Sequence, residues 1–464
     1  MPLLFREMRC MRMCRALLCK LIPFCLSLLL CLQCSPSASA AFSDVPPDHW
    51  ASPEIQKISE LGLIQGDQQG AFRPNDSVSI QAFLSMLCRA TGLDDRALES
   101  GSHWAEPAVA YAGYLNWYDP DEITPETLSQ PITREMAAKL LVNALFEDHL
   151  KLRSPVSFRD KTSIQSACLP HVMVAVRLKL IGGYPDGTFR PQGNLTRAAA
   201  AALLFRALEL DHSAKTGSAE ASVQIPILMY HDISYLGEGY SKTPEIFRAQ
   251  MTELKDAGFT TVFYADLIDY VENGSPLPEK PIIISVDDGY QSNHTYLFPI
   301  LQDLHMKAEI SLIGRAISRY DWAMTWSQIR EMADSGLVSF QSHTNNLHND
   351  LTAQGGRLGV LKHSDESWAA YVTLLGDDIA ESMKLLESKV GVLPNTFTYP
   401  RGKWNHMAEG LTLQAGCKAS VTTLDGIASV RQGDPSSLRL MNRIGMDHRN
   451  GSVMKVLEQF GYQT

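Results

Sequence analysis

The amino-acid sequence predicts an α/β fold for residues 224–464, preceded by an all-α module over residues 41–212. In the C-terminal part, strand-like apolar runs alternate with helical patterns, which is typical of a parallel sheet covered by helices, either open or closed into a barrel. In the N-terminal part, short motifs recur along the chain, which indicates internal repeats. The length of 464 residues and the ordinary globular composition fit several folded domains.

Each element of the α/β part is predicted from its hydrophobic pattern. The predicted strands are 226–230, 260–264, 281–286, 308–313, 338–341, 396–399, 419–422 and 438–445. The predicted helices are 244–257, 296–305, 326–335, 368–389 and 406–415. Because the chemistry of such folds lies at the carboxyl ends of the strands, candidate site residues are sought there.

Three repeats are predicted in the N-terminal part. Ser79, Thr133 and Thr196 occupy the same place in each repeat, where a hydroxyl caps the start of a helix. The predicted repeats are 41–95, 96–150 and 151–212, and the small polar residues of 213–223 predict a flexible linker. The residues that recur 117 positions apart are Leu63-Ile64 with Leu180-Ile181, Gly66 with Gly183, and Phe72-Arg73-Pro74 with Phe189-Arg190-Pro191.

The first forty residues predict a secretory signal peptide. Five basic residues precede an apolar run at 21–32, and the segment 1–40 ends in Ala38-Ser39-Ala40. The alternative is an uncleaved N-terminal anchor. No later stretch approaches the roughly 20 apolar residues of a spanning helix, so no membrane span is expected after cleavage. Three scattered cysteines remain in the exported chain and are expected to be buried and free, namely Cys88, Cys168 and Cys417.

The charge balance argues against a nucleic-acid partner. The chain has 41 basic and 51 acidic residues and a formal net charge of −10. Binding to phosphate backbones needs clustered Lys and Arg, which an acidic chain does not supply.

Carboxylates and imidazoles follow two predicted strands. The strand at 281–286 leads into Asp287-Asp288-Gly289, and the strand at 338–341 is followed by His343 and His348. Adjacent carboxylates at a buried strand end repel each other, and a bound cation relieves that repulsion. One Asp with two His is the open ligand set of hydrolytic zinc enzymes. The alternatives are an Asp-Asp-Gly turn and two exposed polar histidines, but their joint position at strand ends favours the metal site.

The N-terminal repeats resemble S-layer homology domains. The resemblance implies a helical module that binds secondary cell-wall polymer at the cell surface. Arg134 and Arg197 are then candidates to bind a carboxylate of that polymer. The alternative is that they only stabilise the helix starts or pair with nearby carboxylates. In the first repeat Ile80 replaces the arginine. The segments that carry the resemblance are Phe42-Ser43-Asp44-Val45-Pro46, His49-Trp50-Ala51, Ile132-Thr133-Arg134-Glu135, residues 183–191 and Leu195-Thr196-Arg197-Ala198.

The C-terminal part resembles the polysaccharide deacetylase (NodB-homology) family, carbohydrate esterase family 4. Residues 285–289 resemble its first motif, His343 with His348 the second, and 398–402 the third. The longer histidine spacing and Ile227-Leu228-Met229-Tyr230-His231 are similar to the branch that de-N-acetylates poly-β-1,6-N-acetylglucosamine. The resemblance implies a deformed (β/α)7 barrel.

The resemblance also implies roles for the motif residues. Asp288, His343 and His348 would hold a divalent metal, Zn²⁺ foremost, with Co²⁺ or Ni²⁺ as alternatives. Asp287 would be the general base. The backbone N–H of Arg401 would stabilise the oxyanion. In the third motif Arg401 and Thr398 replace the usual tyrosine and arginine, and Arg401 is also a candidate for the missing guanidinium.

The sequence identifies the general acid and the cleft residues less directly than the metal ligands and the base. A histidine after the last strands should protonate the leaving amine, and His448 is the candidate, with His406 second. His231 either lines the cleft or is a structural histidine. Trp404 and Trp326 either stack on sugar rings or belong to the core or rim.

The expected function is that of a secreted, cell-wall-anchored and metal-dependent deacetylase, which removes N-acetyl groups from a polymer containing N-acetylglucosamine. Two alternatives stay open. One is an esterase that removes O-acetyl groups from a polysaccharide, because the same chemistry serves esters and amides. The other is an inactive surface protein that only binds carbohydrate.

Overall fold

The computed structural model describes residues 42–98, 103–146, 150, 157–212, 222–236, 239–348 and 357–462. The predicted signal peptide and linker residues 213–221 lie outside the described residues. The chain divides into two compact units, one up to Asn75 and one from Asp76 onward. Within the described residues, no helix has both the length and the apolar character needed to cross a membrane.

Among its described residues, the first unit contains one helix, α1 (Ser52–Glu60). The carboxylate of Asp44 accepts hydrogen bonds from the backbone N–H groups of Phe72 (2.7 Å) and Arg73 (2.6 Å). The same arrangement recurs later in the chain, where Asp160 accepts from Phe189 and Arg190. The recurrence confirms that the predicted sequence motifs share one local structure.

The second unit begins with helices whose first turns are capped as predicted. The hydroxyl of Ser79 accepts from the N–H of Ala82, and Thr133 and Thr196 cap their helices in the same way. These capping bonds satisfy N–H groups that have no partner within the helix. The helices are α2 (Ile80–Ala90), α3 (Glu106–Tyr114), α4 (Arg134–Leu145), α5 (Leu169–Arg177) and α6 (Arg197–His212).

The segments that precede α2, α4 and α6 are joined by a closed ring of backbone hydrogen bonds. Val78 donates its N–H to the carbonyl of Leu195 (2.9 Å), and Leu195 donates to Ile132 (2.9 Å). Ile132 completes the ring by donating to Val78 (2.8 Å). Three chain segments therefore meet with equivalent residues in equivalent positions.

The C-terminal part forms a closed parallel barrel, which confirms the predicted α/β fold and the implied sevenfold barrel. The order around the sheet is β2-β10-β8-β7-β6-β5-β4, and β4 pairs again with β2. A short strand, β3, pairs with the start of β4. The strands are β2 (Ile227–Tyr230), β3 (Thr260–Thr261), β4 (Pro281–Asp288), β5 (Ala308–Leu312), β6 (Val338–Ser342), β7 (Thr396–Thr398), β8 (Ala419–Asp425) and β10 (Met441–Gly445).

All eight predicted strands are present, but three predictions are wrong in extent. Strand β8 continues to Asp425 instead of ending at 422, and β10 begins at Met441 instead of at 438. The strand predicted at 260–264 ends at Thr261, and Tyr264 begins a helix that the pattern did not indicate. The carboxylate of Asp266 accepts the N–H of Phe263 (2.8 Å) and so stabilises this helix start. Two further antiparallel strands, β1 (Val223–Ile225) and β9 (Ala428–Val430), were not predicted.

Helices cover the barrel, and the five predicted ones are confirmed to within two residues at each end. They are α7 (Pro244–Asp256), α8 (Tyr264–Asn273), α9 (Phe298–Leu304), α10 (Trp326–Asp334), α11 (Trp368–Val390), α12 (His406–Gln414) and α13 (Val453–Gln459). Helix α3 of the repeat region packs against α11. The hydroxyl of Tyr111 donates to the carbonyl of Gly410, and that of Tyr114 to the carboxylate of Asp377.

Strand β4 illustrates how the sheet separates core from site. Every residue of the strand is buried. Ile282, Ile284 and Val286 pack into the apolar core, whereas Ser285 and Asp287 share the opposite face because side chains alternate along a strand.

The three cysteines Cys88, Cys168 and Cys417 are buried and free, as predicted.

Candidate metal centre and its cavity

Asp288, His343 and His348 come together at the carboxyl end of the barrel. The Oδ1 atom of Asp288 lies 3.5 Å from Nε2 of His343 and 3.3 Å from Nε2 of His348. One candidate ligand atom from each residue lies within 4.8 Å of the others. The parallel strands bring these residues together because the carboxyl ends of β4 and β6 lie at the same edge.

His343 is held in the form that binds a metal. Its Nδ1–H donates to the backbone carbonyl of Thr398 (2.7 Å), which leaves the lone pair on Nε2 directed toward Asp288. Burial lowers the pKa of His343 to about 3, so the imidazole is neutral at physiological pH. A neutral and oriented imidazole is what a metal ligand requires.

Asp288 fits a cation in the same position. Its Oδ1 is buried and has no hydrogen-bond partner among the described residues. Burial, together with the neighbouring charge of Asp287, raises the pKa of Asp288 to about 6. The backbone of Asp288 has φ of 75°, an unusual conformation for a residue other than glycine. An unpartnered carboxylate oxygen beside two imidazoles has the donor chemistry of a divalent metal site.

Asp287 forms a buried bidentate ion pair with Arg443. The two guanidinium N–H groups donate to Oδ1 and Oδ2 of Asp287 at 2.7 and 2.8 Å. Arg443 also donates to the carbonyl of Thr422 and the hydroxyl of Ser285. Burial opposes ionisation of Asp287, but the charge of Arg443 outweighs it and holds the pKa of that carboxyl below its ordinary value. Asp287 is therefore ionised at neutral pH.

Arg443 is the functional residue that sequence reasoning missed. Arg401 was the candidate for the guanidinium, but the structure assigns the partnership with Asp287 to Arg443. The available signal was Arg443 itself, one of two arginines, with Arg439, in the strand predicted at 438–445. A charged residue in a buried strand needs a partner of opposite charge, but the sequence does not identify which carboxylate that is.

The metal candidates lie in a cavity of about 690 Å³. His231 lines this cavity, with its Nε2 3.9 Å from Oδ2 of Asp287. The imidazole stacks on the ring of Tyr240 at a centroid distance of 4.7 Å. Arg401 also lines the cavity, in a left-handed conformation with φ of 55°. Of the two interpretations of His231, the structure supports the one in which it lines the cleft.

The other predicted site residues lie elsewhere. The residues that line the cavity do not include His448, which is exposed and bonded through Nδ1 to the carbonyl of Gly239 (2.9 Å). His406 and Trp404 pack edge-to-face against each other outside the cavity lining. Trp326 packs against the barrel core. His448 is thus bonded to Gly239, a residue of the cavity lining, without lining the cavity itself.

The two arginines of the repeat region differ in environment. Arg134 is buried, and its guanidinium donates to the carbonyls of Phe189 (3.0 Å) and Gly182 (2.7 Å). It also lies over the ring of Tyr184. Arg197 is half-buried at the start of α6. The two acceptors of Arg134 are backbone carbonyls of the third predicted repeat, and neither is a carboxylate or belongs to the start of a helix.

Gly289 is required by the backbone next to the metal candidates. It has φ of 82°, and a Cβ atom there would lie 2.6 Å from Leu312 Cδ2 and 3.2 Å from Ile317 Cδ1. We expect Gly289→Ala to lower the free energy of unfolding by about 2–4 kcal/mol, through left-handed strain and overpacking. Urea unfolding followed by tryptophan fluorescence measures this change.

Gly258→Ala is the matched control for that substitution. Gly258 has nearly the same φ, 81°, but no atom lies within 4 Å of the added Cβ. Its cost should be about 1–2 kcal/mol, from the backbone alone. If both variants lose the same free energy of unfolding, packing around Gly289 does not contribute to the loss.

Comparisons with known proteins agree with the geometry of the site. A family model described as polysaccharide deacetylase matches residues 274–420. The model of the S-layer homology domain matches residues 41–79 and 157–201. The first match includes all three metal candidates, and the second includes the paired Asp44 and Asp160 turns.

Individual relatives give the same result. A poly-β-1,6-N-acetyl-D-glucosamine N-deacetylase of Escherichia coli (strain K12) is 30% identical over 211 residues, 40% of this chain and 31% of that protein. The chain thus covers about a third of that relative. A solved de-N-acetylase from Aggregatibacter actinomycetemcomitans is 23% identical with a TM-score of 0.46. The match covers 51% of this chain and 100% of the chain of that structure. YxkH of Bacillus subtilis (strain 168), a candidate polysaccharide deacetylase, is 30% identical over 46% of this chain and 70% of its own length. By its sequence the chain belongs to the polysaccharide deacetylase family.

Proposed function

We propose that this protein is a metal-dependent polysaccharide deacetylase that removes N-acetyl groups from a polymer containing N-acetylglucosamine. The observation that carries the proposal is the placement of Asp288, His343 and His348 in one cavity beside the ion pair of Asp287 and Arg443. A ligand set and an ionised carboxylate within one cavity are the components of hydrolysis by activated water.

The ligand residues would hold a divalent cation, with Zn²⁺ as the first choice for two imidazoles and one carboxylate. Such an ion supplies polarisation of the acetyl carbonyl and acidification of a water molecule. Asp287 accepts a proton from the attacking water, since its pairing with Arg443 keeps it ionised. In this reaction a C–O bond to the acetyl carbon forms and the C–N bond breaks, which yields acetate and an amine.

His231 is the proposed general acid. Its imidazole lines the cavity, and its Nε2 lies 3.9 Å from the carboxylate of Asp287. A protonated His231 donates its proton to the leaving nitrogen as the C–N bond breaks. Arg401 lines the same cavity, and its backbone N–H is the proposed donor to the developing oxyanion.

The substrate class rests on the relatives. Two of them are named poly-β-1,6-N-acetyl-D-glucosamine N-deacetylases, from Escherichia coli and Staphylococcus epidermidis. The spacing of His343 and His348 supports the same assignment. We therefore favour the removal of N-acetyl groups over the removal of O-acetyl groups.

The N-terminal module is proposed to consist of three S-layer homology repeats that anchor the secreted enzyme to the cell wall. The ring formed by Val78, Ile132 and Leu195 supports three equivalent repeats, since each contributes the same kind of bond. The predicted signal peptide supports export. Arg134 and Arg197 are the proposed residues for binding the polymer, and the guanidinium of Arg134 also donates to backbone carbonyls.

Acetate release by the full-length protein tests the proposed activity. The substrates are N-acetylglucosamine oligomers with β-1,6 and β-1,4 linkages and, in parallel, an O-acetylated xylan. Each is assayed with added Zn²⁺ and after chelation. We expect acetate release from the N-acetylated oligomers, strongest for the β-1,6 series, and its loss on chelation.

Other outcomes reassign the function. Release from the xylan alone indicates an O-acetyl esterase. Release that persists after complete metal removal contradicts the role proposed for Asp288, His343 and His348. If folded and metal-loaded protein releases no acetate from any substrate, the enzymatic proposal is wrong and a carbohydrate-binding role takes its place.

A further inference from the structure

Three aromatic side chains extend from the cavity onto the protein surface. Tyr290 lines the cavity, and its ring lies 5.2 Å from that of Trp322. The ring of Tyr320 follows at 6.1 Å from Trp322, and these two rings are parallel to within 7°. We refer to Tyr290, Trp322 and Tyr320 as the aromatic strip. Tyr320 and Trp322 are 49% and 41% exposed, which is unusual for such large rings.

The aromatic strip is held in place by the backbone that follows the metal candidates. Gln291 donates its N–H to the carbonyl of Trp322 (2.7 Å), and Met324 donates to Gly289 (3.0 Å). Tyr290 and Ala323 form an isolated β-bridge between the same segments. The exposed rings are therefore fixed relative to Asp288 before any ligand binds, which reduces the entropy lost on binding.

The strip is also continuous with the candidate reaction centre. Tyr290 lines the same cavity as Asp288, two positions away in the chain, so the inner end of the strip lies beside a metal candidate. The outer end lies on a turn in which exposed Arg319 and Asp321 flank the two exposed rings. The guanidinium of Arg319 lies over the ring of Tyr320, 5.9 Å from its centroid. The surface thus combines aromatic rings with charged hydrogen-bonding groups beside them.

We propose that the aromatic strip is a subsite for sugar residues of the substrate polymer next to the residue that is deacetylated. A pyranose ring presents C–H groups on its faces and hydroxyl groups around its edge. The electron-rich face of an aromatic ring attracts those C–H groups, and the flanking polar side chains suit the hydroxyls. A purely apolar protein partner would leave Arg319 and Asp321 without polar contacts, which disfavours it.

The inference rests on the proposed function for its substrate class, and it makes a distinct prediction. A neighbouring subsite strengthens the binding of oligomers and has no effect on a monosaccharide. The wild-type protein should therefore bind longer oligomers with a lower dissociation constant than shorter ones. The enzyme then acts on chains rather than on single sugars.

Binding measurements on the full-length protein test the subsite. An N-acetylglucosamine pentamer and the monosaccharide are titrated by calorimetry with the metal chelated, so that no turnover occurs. We expect Tyr320→Ala and Trp322→Ala each to weaken pentamer binding about fivefold, with monosaccharide binding unchanged. Trp104→Ala is the matched control, because Trp104 is an exposed tryptophan of the repeat region (49%). It should leave both affinities unchanged.

The outcomes separate this inference from the proposed function. If the wild type releases acetate but both strip variants bind the pentamer normally, the subsite is wrong and the activity stands. If both variants lose pentamer affinity but no acetate is released, the activity is wrong and the subsite stands. Equal losses for pentamer and monosaccharide, or no binding of the pentamer by the wild type, overturn the subsite.

Discussion

Asp287→Asn is expected to reduce kcat for acetate release about 10²–10⁴-fold while the protein still binds its metal. The amide cannot accept the proton of the attacking water. The ligand atoms of Asp288, His343 and His348 are untouched by the change. Steady-state kinetics give the first result, and elemental analysis after dialysis against a stated concentration of Zn²⁺ gives the second.

The neighbouring variant Asp288→Asn provides the matched comparison. It has the same chemical change one position later in the chain, but it removes a metal candidate. We expect it to lose both acetate release and most of the bound metal. Asp334→Asn, at the exposed end of α10, controls for loss of a carboxylate and should change neither quantity.

These variants distinguish the two carboxylates sharply. If Asp287→Asn depletes the metal as strongly as Asp288→Asn does, the assignment of base and ligand is wrong. Retention of wild-type kcat by Asp287→Asn would exclude it as the base. Circular dichroism on each variant verifies that the loss of a charge beside Arg443 has not unfolded the barrel.

Arg443→Met is expected to lower the free energy of unfolding by about 3–5 kcal/mol, because it leaves Asp287 buried without its partner. Arg443 is 0% exposed, so water cannot replace the lost hydrogen bonds. The same substitution should reduce kcat, since burial without a cation raises the pKa of Asp287 and protonates the base. Urea unfolding and kinetics measure the two effects.

The double variant Asp287→Asn/Arg443→Met tests whether the cost comes from the unpaired charge. Without either charge, we expect it to recover a substantial part of the stability lost in Arg443→Met, and none of the activity. A double variant no more stable than Arg443→Met would contradict an electrostatic origin. The loss would then come from the packing around the guanidinium.

The stabilisation that the ion pair of Asp287 and Arg443 contributes is expected to decrease in acid. In the wild type, the pKa of folded Asp287 lies below its ordinary value of 3.8, so the pair stabilises the protein fully above that pH. This contribution is lost as the pH falls through the lower, folded pKa. In Arg443→Met the folded carboxyl takes up a proton more readily. The stability difference between wild type and variant is therefore largest at neutral pH and should shrink in acid.

The sequence alone was enough to predict the α/β class, the seven strands of the barrel with the short β3 beside them, and the metal candidates. Local patterns carry this information, because burial of a parallel strand requires a continuous apolar run such as 281–286. The carboxyl ends of parallel strands lie at one edge, so Asp288 and His343 could be placed together without coordinates. The capping hydroxyls of the repeats were equally visible, since a cap depends only on neighbouring residues.

Only the tertiary structure decided which residues complete the site. The partner of Asp287 is Arg443, 156 positions later in the chain, and no local rule relates the two. His231 lines the cavity and His448 does not, because the path of the chain after β10 depends on packing rather than on the order of the motifs. The aromatic strip likewise depends on pairing between the segment after β4 and the Trp322 turn. Contacts between distant segments are set by the closure of the barrel, and that closure has no signature in any single stretch of sequence.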